Sequence, residues 1–176
     1  VLLHRCIYRN GLLRAVGCYV LLDIKKVDDS FHARFSAKSK TYLYKIINEK
    51  IADPFNENLA LQLSQKLDID ALKCALNQFK GVHNFQNYTS KENDEQNFVR
   101  EIYDINVSRD GKFINIELTG NGFMRYMVRM IVGTAIQVSL GKLDIAFVQQ
   151  SLLSKERNPS SFKASAMGLY LEKVNY

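Results

Sequence analysis

Two arginines lie inside the mostly apolar stretch 120–141, where a charged side chain is unusual. Arg125, Arg129 and Gly133 follow one another at intervals of four residues, which predicts one stripe along an α-helix. A guanidinium among apolar neighbours requires a carboxylate or phosphate partner, because an unpaired buried charge is costly. The alternative is that the Arg129 stem packs on the core while its charged head reaches water. The spacing alone leaves both open.

A second chemical pattern lies in the strand predicted over residues 39–47, whose alternation places Tyr42 and Tyr44 on one face. Several cations precede or accompany these rings in the sequence: Arg34, Lys38 and Lys40. Rings accept the faces of bases while cations hold phosphates, so this combination suits a single-stranded or flipped nucleotide. The alternative is a core strand whose tyrosine hydroxyls are satisfied at its rim.

The elements that position these residues are predicted from periodicity and end signals. A set of mostly apolar residues recurs at helical spacing in the central stretch, with Asn121 as the expected cap and Gly141 as the left-handed residue past the end. That set comprises Phe123, Met127, Met130, Ile131 and Thr134. Gly133 lies one turn beyond Arg129, where another backbone can approach closely. The sequence therefore predicts a mostly buried central helix.

The rest of the chain predicts strands and two further helices. A hairpin is expected from residues 99–109 and 112–119 around Asp110-Gly111. Asp68 is expected to cap a helix that ends at Gly81, and Asp144 one that runs to about Leu153. Shorter features are a strand at 19–27, a turn at 28–30, a strand within 59–63, an exposed loop at 90–97 and a final strand at 168–176. These elements predict an α+β fold, an antiparallel β-sheet with helices packed on one face.

The composition and the charge distribution indicate which class of partner this chain is suited to bind. The chain has 176 residues, of which 47% are hydrophobic, and this is enough for one sizeable core. Its formal charge is +6. Residues 1–50 contain ten Lys or Arg and four Asp or Glu, and the remaining residues contain 14 Lys or Arg and 14 Asp or Glu. A local basic surface favours a polyanion, nucleic acid before membrane, since no apolar run of membrane-spanning length is present. A solvated basic face without a partner is the alternative.

The cysteines and histidines give no metal or disulfide pattern. Cys6, Cys18 and Cys74 are odd in number and widely spaced, without a C-x-x-C pair, and the three histidines are equally scattered. The chain starts without the pattern of a signal peptide, and free thiols suit a reducing compartment. We therefore expect no metal site and a cytoplasmic location.

Four segments in order resemble the tRNA pseudouridine synthase A family, over roughly residues 20–176. They are Phe31-His-Ala-Arg-Phe-Ser-Ala-Lys38 with Lys40-Thr-Tyr-Leu-Tyr44, Gly81-Val-His-Asn-Phe85, Gly120-Asn-Gly-Phe123 with Met127-Val-Arg-Met-Ile-Val-Gly133, and Ala166-Met-Gly-Leu-Tyr-Leu171. The resemblance implies a pseudouridine synthase-like fold and conversion of uridine to pseudouridine in the tRNA anticodon stem-loop, without metal or organic cofactor. It also implies a homodimer, although no residue here demonstrates the interface.

By the same resemblance, Tyr42 matches the active-site tyrosine that lies against the base and is a candidate for removal of the C5 proton. Arg129 matches the arginine that pairs with the nucleophilic Asp. Arg34 and Lys38 match a stretch associated with tRNA binding. Apart from the resemblance, we also expect Lys40, beside the tyrosine rings, and Arg125 to bind RNA.

The family's nucleophile is an Asp in a Gly-Arg-Thr-Asp-Ala-Gly motif, and none of the ten aspartates of this chain has that context. We therefore expect residues 19–176 to be the C-terminal lobe of such an enzyme, inactive alone, with residues 1–18 a poorly matching lead-in. Two alternatives remain open. One is a non-catalytic RNA-binding module derived from this fold, and the other is an α+β domain without an RNA partner.

Overall fold

The computed structural model describes residues 26–90, 97–154, 156–160 and 162–176. The chain divides into two compact units, Val1–Ala37 and Lys38–Tyr176. In the first unit, Asp28 accepts a hydrogen bond from the Ser30 amide through its carboxylate (2.9 Å), which confirms the predicted turn. The lead-in over 1–18 and nearly all of the strand predicted at 19–27 lie outside the described residues, as does most of the loop predicted at 90–97.

The second unit is an α+β fold, as predicted. Its described residues form one six-stranded sheet, three α-helices and two short 3-10 turns. The strands are β1 (Ser39–Asn48), β2 (Leu61–Leu63), β3 (Gly81–Asn84), β4 (Val99–Asp110), β5 (Phe113–Gly120) and β6 (Leu169–Asn175). The helices are α1 (Ile69–Asn77), α2 (Met127–Ser139) and α3 (Ile145–Leu153), and the 3-10 turns are Pro54–Asn56 and Gln86–Tyr88.

The sheet is organised around β1. The strand order is β2-β1-β5-β4-β3, and β6 also pairs with β1. All of these pairings are antiparallel except that of β1 with the three-residue β2, which is parallel. The sheet is therefore mostly antiparallel rather than purely so.

The core face of β1 follows the predicted alternation. Tyr44 and Ile46 are fully buried and lie opposite Ile116 and Ile114 of β5, while Tyr42 packs at the margin of the core. Burial of each large apolar side chain contributes about 1.5–3 kcal/mol, so this cross-strand set is a main source of stability. The β4–β5 hairpin is also confirmed, and Gly111 at its turn has a φ of +56°.

The central helix begins later than predicted. Asn121 does not cap it, because its side chain accepts a hydrogen bond from the Glu101 amide of β4 (3.1 Å). Residues 121–126 instead cross from β5 to α2, and Tyr126 takes the capping position with a left-handed φ of 63°. Consequently Phe123 and Arg125 precede the helix instead of lying on it. Gly141, with a φ of +68°, follows the helix end as predicted.

The other two helices have the predicted caps. The Asp68 carboxylate accepts from the amides of Asp70 and Ala71, and the Asp144 carboxylate accepts from that of Ala146. The helix that Asp68 caps ends at Asn77, earlier than predicted. Gly81, with a φ of +102°, opens β3, a strand that the sequence pattern does not predict.

Candidate active site and nucleic-acid interface

The candidate site lies at the end of the sheet where β1 begins and β5 ends. Lys40 pairs in register with Gly120, and Tyr42 with Leu118. Residues 121–126 then lead to the first turn of α2, so the beginning of β1 and the beginning of α2 meet at the same end of the sheet. Lys40 shares a sheet face with Tyr42 because side chains two residues apart point the same way.

Tyr42 is held by an aromatic neighbour. Its ring lies 5.2 Å from that of Phe123, centroid to centroid, in an edge-to-face arrangement. Among the described residues its hydroxyl has no hydrogen-bond partner, and burial raises the pKa of the phenol. Tyr42 is therefore a neutral ring at physiological pH, with a hydroxyl left available to another molecule.

Arg129 stands in the first turn of α2, half-buried. Its Nε donates a 2.7 Å hydrogen bond to the carbonyl of Ala164, and the Ala164 amide donates back to the Arg129 carbonyl at 3.0 Å. Its two terminal nitrogens have no hydrogen-bond partner, and no carboxylate lies within ion-pair distance, among the residues that the structure describes. The guanidinium is thus oriented by the fold, with its outer edge open for an anion.

The segment 162–168 forms the wall against which Arg129 is oriented. A Cβ on Gly133 would collide with the Phe162 carbonyl, which confirms the predicted close approach of another backbone at this glycine. Tyr44 donates from its hydroxyl to the Ser165 carbonyl at 2.7 Å. Burial raises the pKa of Tyr44 far above its usual range, an effect that the charge of Arg129 opposes.

Three cations surround the ring of Tyr126. Lys163 Nζ lies 4.4 Å from the ring centroid, Arg125 Cζ 5.0 Å and Arg129 Cζ 5.2 Å. We call Tyr126 with these three cations the Tyr126 cluster. The hydrogen bond that Arg125 donates to the Tyr126 hydroxyl (3.3 Å) is the largest cause of a lowered pKa of this phenol, and the three cationic charges add to it. The cluster is therefore a strongly positive surface.

The expected RNA-binding cations belong to different elements of the two units. Arg125 joins Arg129 at the Tyr126 ring, although the two do not share a helix. Lys38 is exposed immediately before β1, and its amide donates to the Asn175 carbonyl of β6 (2.8 Å). Arg34 belongs to the first unit, where it is exposed with its Cζ 5.5 Å from the Phe35 ring centroid.

Sequence reasoning missed three residues of this site. The helical spacing predicts Phe123 on the helix, and Tyr126 and Lys163 are not among the predicted site residues. The adjacency of Arg125 and Tyr126 was a usable signal, since a ring beside a cation is a common pairing. Lys163 gave no signal, because only the packing of residues 162–168 on α2 brings it to the Tyr126 ring.

The described residues contain no group of three or more His, Cys, Asp or Glu side chains placed to hold a metal ion. In the same part of the chain, none of the helices has both the length and the apolar character needed to traverse a bilayer.

Comparison with known proteins gives a consistent result. A family model described as tRNA pseudouridine synthase matches residues 75–176. The chain is 39% identical over 156 residues to a tRNA pseudouridine synthase A 2 of Bacillus cereus, covering 89% of this chain and 64% of that protein. It is 40% identical over 157 residues to the tRNA pseudouridine synthase A of a Thermoanaerobacter species, with the same coverage.

A more distant relative extends the match further along this chain. Identity to the tRNA pseudouridine synthase A of Aquifex aeolicus is 37% over 166 residues, which covers 94% of this chain and 66% of that protein. The chain therefore spans a little less than two thirds of the length of these curated relatives.

Proposed function

Because the chain belongs to the tRNA pseudouridine synthase A family, we propose that the intact protein isomerises uridine to pseudouridine in the anticodon stem-loop of tRNA. In this reaction the bond from C1′ to N1 of the uracil breaks, a bond from C1′ to C5 forms, and the proton lost from C5 is balanced by one gained at N1. The single observation that carries the proposal is the oriented guanidinium of Arg129, whose outer edge has no carboxylate among the described residues.

Arg129 supports the nucleophile in this proposal. A carboxylate that attacks the nucleotide must stay ionised inside a site from which the substrate excludes water. The bond from Arg129 Nε to Ala164 fixes the plane of the guanidinium and leaves the edge that binds a carboxylate with two parallel hydrogen bonds. The partner is the Asp that the family motif supplies, and we place that Asp in a part of the protein outside this chain.

Tyr42 provides the ring against which the uracil stacks once the nucleotide leaves the RNA stack. Phe123 lies 5.2 Å from that ring in an edge-to-face contact, which fixes the orientation of Tyr42. The raised pKa of Tyr42 means that its hydroxyl is protonated at rest and can take the C5 proton only while releasing its own. Stacking is therefore its primary role, and proton transfer at C5 is the second role to test.

The remaining parts of the proposal concern partners. Arg34, Lys38, Lys40 and Arg125 contact the tRNA backbone, residues 19–176 act as the C-terminal lobe of the enzyme, and the chain alone is inactive. The intact protein works as a homodimer in the cytoplasm, without metal or cofactor. The basic charge of the first fifty residues supports the RNA contacts, because phosphate neutralisation dominates nucleic-acid affinity.

The test compares the intact protein with this chain alone on an anticodon stem-loop, with pseudouridine detected after nuclease digestion and chromatography. The control is a stem-loop in which the candidate uridines are replaced by cytidine. We expect conversion by the intact protein and none by the chain. An intact protein that binds the stem-loop tightly but converts no uridine would instead establish the non-catalytic RNA-binding module.

A further inference from the structure

The Tyr126 cluster contains more positive charge than a single nucleophile requires. Arg129 is half-buried and oriented by Ala164, and the proposed function assigns it to the carboxylate of the nucleophile. Arg125 and Lys163 are exposed and lie against the same ring. Neither forms an ion pair within the part of the chain that the structure describes. Two of the three cations are thus available to a ligand that arrives from solvent.

The neighbouring ring determines how these two cations are presented. Arg125 donates to the Tyr126 hydroxyl, which limits its freedom, while Lys163 lies closer to the ring centroid than either arginine. A cation against an aromatic face is weakly held and keeps its outward donors. Because Arg125 precedes α2 and Lys163 comes from the segment 162–168, two separate parts of the fold converge on one small area.

We propose that Arg125 and Lys163, held around the Tyr126 ring, bind one backbone phosphate of the RNA strand at the edge of the active site. This inference rests on the proposed function and extends it, because it assigns Lys163 and Tyr126 to substrate binding and separates their role from that of Arg129. A phosphodiester has two non-bridging oxygens, and two flexible cations on the same surface can each take one. Fixing the phosphate beside a nucleotide limits where that nucleotide goes when it flips.

The first experiment measures how the affinity of the intact protein for an anticodon stem-loop depends on salt. Lys163→Gln and Arg125→Gln are each expected to weaken binding on the order of tenfold and to reduce the slope of log affinity against log salt by about 1. Lys73→Gln is the matched control, since Lys73 is an exposed cation on α1 outside the site. Equal slopes for Lys163→Gln, Arg125→Gln and the control would overturn the proposal.

The second experiment removes the charge from the RNA instead of the protein. Each phosphate of the stem-loop is replaced in turn by an uncharged methylphosphonate, and affinity is measured for wild type and Lys163→Gln. At one position near the target uridine, the two changes should cost no more together than either does alone. Additive losses at every position would contradict contact between Lys163 and a backbone phosphate.

A third experiment distinguishes binding of the RNA backbone from binding of free phosphate. Inorganic phosphate is titrated while the Tyr126 phenol is followed by NMR. A response to inorganic phosphate without coupling at any methylphosphonate position would show a site for free phosphate and overturn the assignment to RNA. Salt slopes and couplings as expected, in a protein that converts no uridine, would instead refute the proposed function while leaving this phosphate site in place.

Discussion

Arg129 and Ala164 are joined by a reciprocal pair of hydrogen bonds, from the arginine Nε to the alanine carbonyl and from the alanine amide to the arginine carbonyl. The two residues are far apart in sequence, so the pair ties the first turn of α2 to the segment 162–168. It also means that the Arg129 guanidinium is neither fully solvated nor fully paired with an anion. The guanidinium combines a structural bond with an open edge.

Replacing Arg129 by Ala is expected to lower the activity of the intact protein at least about 100-fold, by loss of the cation that supports the nucleophile. The same change should lower the free energy of unfolding of this chain by only about 1–2 kcal/mol, because one hydrogen bond to a carbonyl is lost. Single-turnover rates and urea unfolding measure the two effects.

Arg129→Lys is the informative companion variant. It retains the charge but cannot provide both the bond to Ala164 and a two-point contact with a carboxylate. Substantial recovery of the rate by lysine would show that charge alone is required and that the orientation set by Ala164 is dispensable.

Tyr42→Phe is expected to leave the stability of the fold within about 0.5 kcal/mol of wild type, since the hydroxyl has no hydrogen-bond partner among the described residues. If that hydroxyl transfers the C5 proton, kcat should fall about 100-fold while KM changes little. Tyr42→Ala should raise KM as well, because the stacking face is removed. Unchanged kcat in Tyr42→Phe would confine Tyr42 to stacking.

Gly133→Ala is expected to destabilise the fold by about 1–3 kcal/mol, because the added methyl meets the backbone of Phe162 and the segment cannot move without breaking its bonds to α2. Gly122→Ala is the matched control: its methyl would meet nothing nearer than the Arg100 side chain at 3.9 Å. Thermal unfolding of both variants distinguishes them, and equal melting temperatures would argue against the close packing at Gly133.

The buried phenol of Tyr88 should lower the free energy of unfolding at alkaline pH. Burial, opposed by a hydrogen bond with Ser151, raises the pKa of this phenol from 10.0 to about 12. The folded state therefore holds the proton more tightly than the unfolded state does. The corresponding stability is complete below pH 10 and is lost as the pH rises towards 12, by about 2–3 kcal/mol. Burial also raises the pKa of Tyr44, so Tyr88→Phe should make the loss of stability over that range smaller without abolishing it, as followed by denaturant unfolding at each pH.

The pKa of the Tyr126 phenol is shifted in the opposite direction to that of Tyr88. Its pKa is lowered by the hydrogen bond from Arg125 and by the surrounding cations, so it should ionise at lower pH than Tyr88. Lys163→Gln should move the titration of Tyr126 upwards, which tyrosine-labelled NMR would detect. A titration that stays in place would mean that Lys163 does not lie against this ring in solution.

The sequence predicted what depends on local patterns. The β4–β5 hairpin followed from Asp110-Gly111 and the alternation on either side, and the caps at Asp68 and Asp144 from the preference of carboxylates for free amides. The close approach at Gly133 was also predictable, since a glycine inside an apolar helix lacks the Cβ that would keep another backbone away.

The parts that depend on distant partners could not be predicted. Asn121 has the residue type of a helix cap, but its side chain binds Glu101, and nothing local to Asn121 shows that a neighbouring strand competes for it. β3 has only four residues, too few for a period to emerge. Lys163 reaches Tyr126 through packing between two segments, so its role at the site becomes visible only in three dimensions.

The pairing of β1 with β6 has a consequence for the order in which this protein can fold. Ser39 pairs with Asn175 and Tyr44 with Leu169, so one side of β1 is completed by a segment synthesised more than a hundred residues later. The β4–β5 hairpin needs only a two-residue connection and can form during synthesis. The edge of β1 that receives β6 must remain unpaired until the end of β6 leaves the ribosome, and during that interval it is open to pairing with other chains.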